Sequence, residues 1–348
     1  MISKYGFLFI LLLIFGLPSR IGAQKAKNSR DSIALFYGEL FSVMRKSYLH
    51  KNEVDWNSVE AETMRNIEKS ENFKASLNEI QVLFSKIKAT HCTIFKGDKR
   101  YALPADVPAR EKISLQWKEK YDARPGFEVK LMDGKYGYIL MPKMQVASSR
   151  PDVLRKTAQP LYDRIADVQE KYHPEGWIID LRFNTGGHAW PMLAALYGFL
   201  GDHTVWTSLD ADHKKVAEFS FSGGAYKMNS EKLFSIIPKG VSMEHVKVAV
   251  VTGLLTASSG EVTALAFKGR PGTVFIGEKT LGYLTGNGMV KLPYGFEMAL
   301  TNSYDGDREG VYYERITPDL PVAAQDHFDN LLEDQNIREA IQFFSRNN

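Results

Sequence analysis

Apolar positions along this chain fall into two regimes. From Asp31 to Lys88, Leu35, Phe36, Leu40, Val43 and Met44 recur at three- and four-residue steps, and a second run closes at Leu83, Phe84 and Ile87. That spacing predicts amphipathic helices whose charged residues form a solvated face. Beyond Thr93 the spacing changes. A turn-rich stretch, Leu103 to Pro108, precedes an expected strand over Lys135–Met141 and an expected helix over Val153–Tyr172. Two further runs, Gly176–Arg182 and Lys247–Thr252, are apolar on both faces, as buried parallel strands are. Each runs into small residues and then a helical pattern. Asn184-Thr185-Gly186-Gly187 leads to Trp190–Leu200, and Thr256-Ala-Ser-Ser-Gly-Glu261 opens Glu261–Lys268. Repeated strand, turn and helix predict an α/β core with a mostly parallel sheet, residues 96–348, behind a small helical domain, residues 28–95.

The first residues restrict the compartment. Lys4 precedes the apolar stretch Tyr5–Leu17, which is followed by Ile21-Gly22-Ala23 and Gln24. The apolar part is shorter than the roughly 20 residues of a membrane span, so residues 1–23 read as a cleaved signal peptide, and the expectation is a periplasmic or extracellular protein without a stable membrane anchor. Cys92 is the sole cysteine, so no intramolecular disulfide is available and no lipid-bearing cysteine stands at the cleavage point. The formal charge of +3 includes Lys4 and Arg20 of the expected leader, and no basic block appears. Such a balance gives no footprint for nucleic acid, and 44% apolar residues suit an ordinary globular protein.

Candidate chemistry gathers at the two turns. Ser258 stands where a buried strand gives way to a helix, and unpaired N–H groups at that point can stabilise an oxyanion. Serine is also a favoured helix cap, which would account for it without catalysis. Paired glycines at Gly186-Gly187 would let a backbone N–H approach a ligand, or simply make a tight turn. His91, in Thr90-His91-Cys92-Thr93, falls where helical spacing ends, and His188 beside the glycine pair competes with it as a base. No metal-binding pattern, phosphate loop or dinucleotide fingerprint is present, so neither a metal nor a cofactor is expected.

These motifs, in this order, resemble the C-terminal processing peptidases, or tail-specific proteases, and their tricorn-core and retinoid-binding-protein relatives. Asp180-Leu-Arg-Phe-Asn-Thr-Gly-Gly187 is similar to the family's strand and turn, and Thr256–Glu261 resembles its nucleophile turn. Ile276-Gly-Glu-Lys-Thr-Leu-Gly282 and Ile316-Thr-Pro-Asp319 resemble its two closing segments, and the likeness runs from about Leu35 to Val322. The resemblance implies a crotonase-like (ClpP-like) core, Ser258 as nucleophile, and an oxyanion hole from Gly187, with Gly186 beside it, and the Ser259 N–H. It also implies, as substrate, a peptide or unfolded protein.

In the branch that uses a lysine base, that lysine would stand at position 283, where this chain has Tyr283. Lys279 matches a variable position and is rejected. The tricorn-like branch has a histidine near the start of the protease core, and His91 occupies that place. The family's acid matches Tyr312, so Glu314, two residues on and on the same face of an extended strand, is the expected acid, with Asp307 as the alternative. Glu261 is expected to support the helix rather than catalysis. Asn184 and Asn287 are read as polar contacts or turn residues. Thr93–Lys135 is too short for the PDZ domain many members carry. An extended peptide is instead expected to pair along Gly295–Thr301. The resulting expectation is a serine endopeptidase using Ser258, His91 and Glu314. The alternatives are a catalytically silent protein binding a small apolar or peptide ligand, as fold does not fix function, and an esterase or amidase.

Overall fold

The computed structural model describes residues 29–104, 113–323 and 326–346. The expected signal peptide and part of the turn-rich stretch after Leu103 lie outside them. The chain divides into two compact units, one reaching to Pro104 and adding Asn287–Asn302, the other holding the remaining residues.

The first unit begins with helices α1 (Ser29–Ser47), α2 (Trp56–Ile67), α3 (Phe73–Ser76) and α4 (Glu79–Lys86). Asp55 and Asn72 cap α2 and α3 by accepting the N–H of Ser58 and Ala75. Phe36, Leu40 and Met44 of α1 pack with Ile80, Leu83 and Phe84 of α4, which is the apolar stripe the spacing predicts. Strands β1 (Thr93–Lys96) and β2 (Lys99–Ala102) form an antiparallel hairpin. Phe296, Met298 and Leu300 join the same core although they lie some 200 positions along the chain, so this unit is helical only in its first part.

In the second unit come α5 (Leu115–Asp122), β3 (Glu128–Met132), β4 (Tyr136–Leu140), α6 (Pro151–Tyr172) and β5 (Gly176–Asp180). Helices α7 (Ala189–Ala195) and α8 (Tyr197–Leu200) replace the single helix expected over Trp190–Leu200, with Leu196 between them. Strands β6 (Thr204–Leu209), β7 (Lys215–Ser222), β8 (Ala225–Met228) and β9 (Glu231–Ser235) follow, then β10 (Val248–Thr252), α9 (Ser259–Leu265) and β11 (Thr273–Gly277). The last elements are β12 (Thr285–Leu292), β13 (Phe296–Gly306), β14 (Leu320–Pro321) and α10 (Gln335–Ser345), with β12 and β13 contributing residues to both units.

A six-stranded sheet runs β14-β11-β10-β5-β4-β3, parallel except for the β3–β4 pair. β4, β5 and β10 are buried along their whole length, which explains their unbroken apolar sequence. The antiparallel run β6-β7-β8-β9 was not anticipated; its inward residues, including Ala217, Phe219, Phe221 and Tyr226, join the same core as α6, α7 and α9. β6 pairs with Tyr304–Gly306 of β13. Nearer its start, β13 is flanked by β1 and β12, so the strand expected to receive an extended peptide is already paired. No helix among the described residues is long and apolar enough to cross a membrane.

Candidate active site

β10 and β5 are parallel neighbours, so the turns that follow them emerge side by side. Hydrogen bonds lock these turns together. Thr256 Oγ1 donates to the Leu181 carbonyl at 2.9 Å, and the Ala257 N–H donates to the Asn184 carbonyl at 3.0 Å. Between them and α9 stands Ser258, at φ 52° and ψ −119°. An L-residue rarely adopts this conformation, and a sharp strand-to-helix turn of this kind is how hydrolases present a nucleophilic serine. An ordinary helix cap has extended backbone instead.

The glycine pair supplies the other half. Gly186 and Gly187 have φ of 113° and 119°, angles that favour glycine. A Cβ on Gly186 would lie 3.2 Å from Cβ of Ser258, and one on Gly187 would overlap the carbonyl of Met144. Met144 donates its N–H to Gly186 O at 3.2 Å, and His188 N–H returns to Met144 O at 2.8 Å. The Gly186 N–H donates to Asn184 Oδ1 at 3.2 Å. Gly187 is exposed, and its carbonyl accepts the Ser259 hydroxyl at 2.9 Å.

Glu261 is fully buried, and its carboxylate accepts the backbone N–H of Ser258 at 2.9 Å. Its other donors are Thr280 Oγ1 at 2.5 Å, Gly282 N–H at 2.8 Å and Tyr283 N–H at 2.7 Å. Thus the Gly-Glu-Lys-Thr-Leu-Gly segment is a brace for the serine turn. Tyr283, which stands where the family's lysine branch has its base, is part of that brace.

His91 belongs to the first unit, between α4 and β1. Its carbonyl accepts Asn287 Nδ2 at 3.2 Å, and Asn287 Oδ1 accepts Thr301 Oγ1 at 2.9 Å, so a side-chain relay fixes the histidine backbone. Burial pushes the imidazole pKa down to about 4, which leaves it neutral near pH 7, as a proton acceptor must be. Burial likewise lowers the pKa of His188 to about 4, but its Nε2 is paired with Ser149 Oγ at 2.9 Å.

Glu314 does not lie as expected. The chain bends at Glu314 and Arg315 instead of continuing as a strand, so the face-keeping argument fails. The Glu314 side chain is 83% exposed, with Arg315 3.9 Å away as its ion partner, unlike an acid that holds a catalytic imidazole from a desolvated position. Asp307 is buried, but its carboxylate builds its own turn, accepting the N–H groups of Glu309 and Val311 and the Tyr313 hydroxyl, each at 2.9 Å.

The remaining motif residues act as scaffold. Arg182 is enclosed by Asp180, Asp326 and Asp334 at 2.6–2.8 Å, and Asp334 caps α10. Asp319 accepts the Phe275 N–H of β11 at 2.9 Å. Among the described residues, no group of acids, histidines and cysteine is arranged to hold a metal ion.

The model of peptidase family S41 matches residues 135–322, more than half of the chain. The chain belongs to peptidase family S41. The S41 match contains both turns, the Glu261 brace and the Asp180–Arg182 pair, whereas His91 lies before it and Asp326 and Asp334 after it. The nisin-resistance protein of Lactococcus lactis subsp. lactis is 33% identical over 153 residues, which are 43% of this chain and 47% of that protein. The match therefore spans about half the length of that relative. A lipoprotein from Streptococcus agalactiae has a similar fold, with a TM-score of 0.64 at 20% identity over 88% of this chain and 94% of that one. A putative peptidase from Parabacteroides merdae gives 0.60 at 16% identity, covering 92% and 97%. The photosystem II D1 C-terminal processing protease gives 0.53 at 14% identity, covering 84% and 93%. These likenesses support an S41 fold of mixed α/β type.

Proposed function

We propose that this S41 member is an exported serine endopeptidase that hydrolyses extended polypeptides through Ser258 and His91. The observation that carries the reading is the strained turn of Ser258 against the glycine pair, a conformation that a helix cap does not need. Ser258 Oγ attacks the peptide carbonyl carbon while His91 takes its proton, and the N–H groups of Gly187 and Ser259 receive the oxyanion. The C–N bond then breaks, His91 passes the proton to the leaving amine, and a water activated by His91 hydrolyses the ester. No carboxylate is assigned behind His91. The Asn287–Thr301 relay holds its backbone. Export rests on reading residues 1–23 as a signal peptide, and the core is read as crotonase-like from the motif order.

The test is to incubate the mature chain with a fluorophosphonate probe and with an unfolded protein, alongside Ser258→Ala and His91→Ala. Nisin belongs among the trial substrates because one relative is named for resistance to it. Labelling and cleavage should be lost in both variants. Cleavage that survives in Ser258→Ala would overturn the proposal; labelling without proteolysis would point to an esterase, and absence of both to a binding protein.

A further inference from the structure

We infer that Glu261 is a positioning residue for the nucleophile, holding Ser258 in its strained conformation by clamping the Ser258 peptide N–H to the segment Thr280–Tyr283. This role rests on the reading of Ser258 as nucleophile. A capping glutamate ordinarily reaches back only to the N–H of the residue that begins its own helix. Glu261 makes that bond and also gathers three donors from a segment 19 to 22 residues further along the chain.

The division of labour between the two oxygens matters. Oε2 accepts both Ser258 N–H and Tyr283 N–H, so the nucleophile's backbone and the adjoining segment share one atom. Oε1 accepts Thr280 Oγ1 and Gly282 N–H. Four donors match the acceptor capacity of an ionised carboxylate. Three of them are backbone N–H groups, which a protonated acid could not satisfy equally well. Burial pushes the carboxyl pKa up, and the hydrogen bonds from Thr280, Gly282, Tyr283 and Ser258 oppose that push. Thr280 Oγ1 in turn accepts the Ile316 N–H at 2.9 Å, which leaves the brace tied to the Ile-Thr-Pro-Asp segment as well. Because Ser258 departs from relaxed backbone geometry, it persists only where its surroundings over-determine it, and Glu261 is the residue whose side chain fixes its N–H.

Glu261→Gln keeps the shape but turns one oxygen into a donor facing other donors. Loss of alignment by a fraction of an ångström to an ångström should lower kcat by about 100-fold while KM stays within about two-fold. The control is Thr263→Val, which removes a buried hydroxyl bonded to Ser259 O at 2.7 Å in the same helix without touching Glu261. It should lower Tm comparably but leave kcat within about three-fold. If Glu261→Gln is not recovered folded, Glu261→Asp, which keeps the charge but withdraws the carboxylate, carries the same expectation. An unimpaired kcat in the Glu261 variants, or an equal loss in Thr263→Val, would overturn the role while wild-type labelling at Ser258 persists. A wild-type chain without Ser258-dependent labelling overturns the parent reading and this role with it.

Discussion

The hydroxyl of Ser259 donates to the carbonyl of Gly187 at 2.9 Å, joining the turn after β10 to the turn after β5. Both residues carry an N–H proposed to receive the oxyanion, so this bond, with those from Thr256 to Leu181 and from Ala257 to Asn184, sets the spacing of the two donors. Ser259→Ala keeps the N–H but loses the tie, and kcat should fall by about tenfold, in line with one hydrogen bond. Steady-state kinetics beside Ser258→Ala, which should be inactive, separates the two adjacent serines.

Gly187→Ala tests the close approach to Met144. The new methyl would overlap the Met144 carbonyl at a φ of 119°. Fluorophosphonate labelling should be abolished and Tm lowered. Near-wild-type labelling would show that the Gly187 N–H is not an oxyanion donor.

His91, with its pKa pushed down to about 4, is neutral at any pH well above that value. The acid limb of kcat/KM, which reports the free enzyme, should therefore fall near pH 4 and not near the ordinary histidine value of about 6.5. The stability effect has a definite sign. Between pH 4 and 6.5 the unfolded histidine binds a proton that the folded one does not, so this contribution is present above pH 6.5 and is lost as pH falls toward 4. Compared with His91→Gln, the wild type should lose more Tm over that window.

Asp305 behaves in the opposite sense. It is buried, its Oδ1 has no hydrogen-bond partner, and burial together with the nearby Glu261 charge pushes its pKa up to about 8. The folded chain then holds a proton that the unfolded chain releases above about pH 4, so stability from this group falls as pH rises from about 4 to about 8. Asp305→Asn, neutral at every pH, should flatten that decline in a series of thermal melts. A parallel decline in both proteins would contradict it.

Arg182 is 2% exposed and bridges three aspartates. Arg182→Leu would leave buried carboxylates without their cation, a loss of about 3–5 kcal/mol by urea denaturation. Refolded material should still label at Ser258, since the cluster's ion pairs join Arg182 to Asp180, Asp326 and Asp334 and to no residue of Thr256–Glu261.

The parallel strands were legible because burial on both faces removes polar residues from Trp177–Ile179 and Val248–Val251. The helices were legible because Phe36, Leu40 and Met44 keep a helical step. The β6–β9 run was missed although Ala217, Phe219 and Phe221 alternate before Gly223-Gly224, a hairpin signal. Asp305 was hidden for another reason. Inward positions on β13 shift from even numbers at Phe296, Met298 and Leu300 to odd ones at Ser303 and Asp305, so no fixed alternation marks it as buried. The expectation for Glu314 failed because residue spacing predicts a shared face only while the strand continues, and there the chain bends.

Cys92, next to His91, is fully buried and bonds through Sγ to Thr301, the same residue that orients Asn287. As the single thiol of the chain, it makes the wild-type protein its own probe. Its rate of modification by a thiol reagent would report how often the histidine's surroundings open, with no label to introduce and no second cysteine to remove.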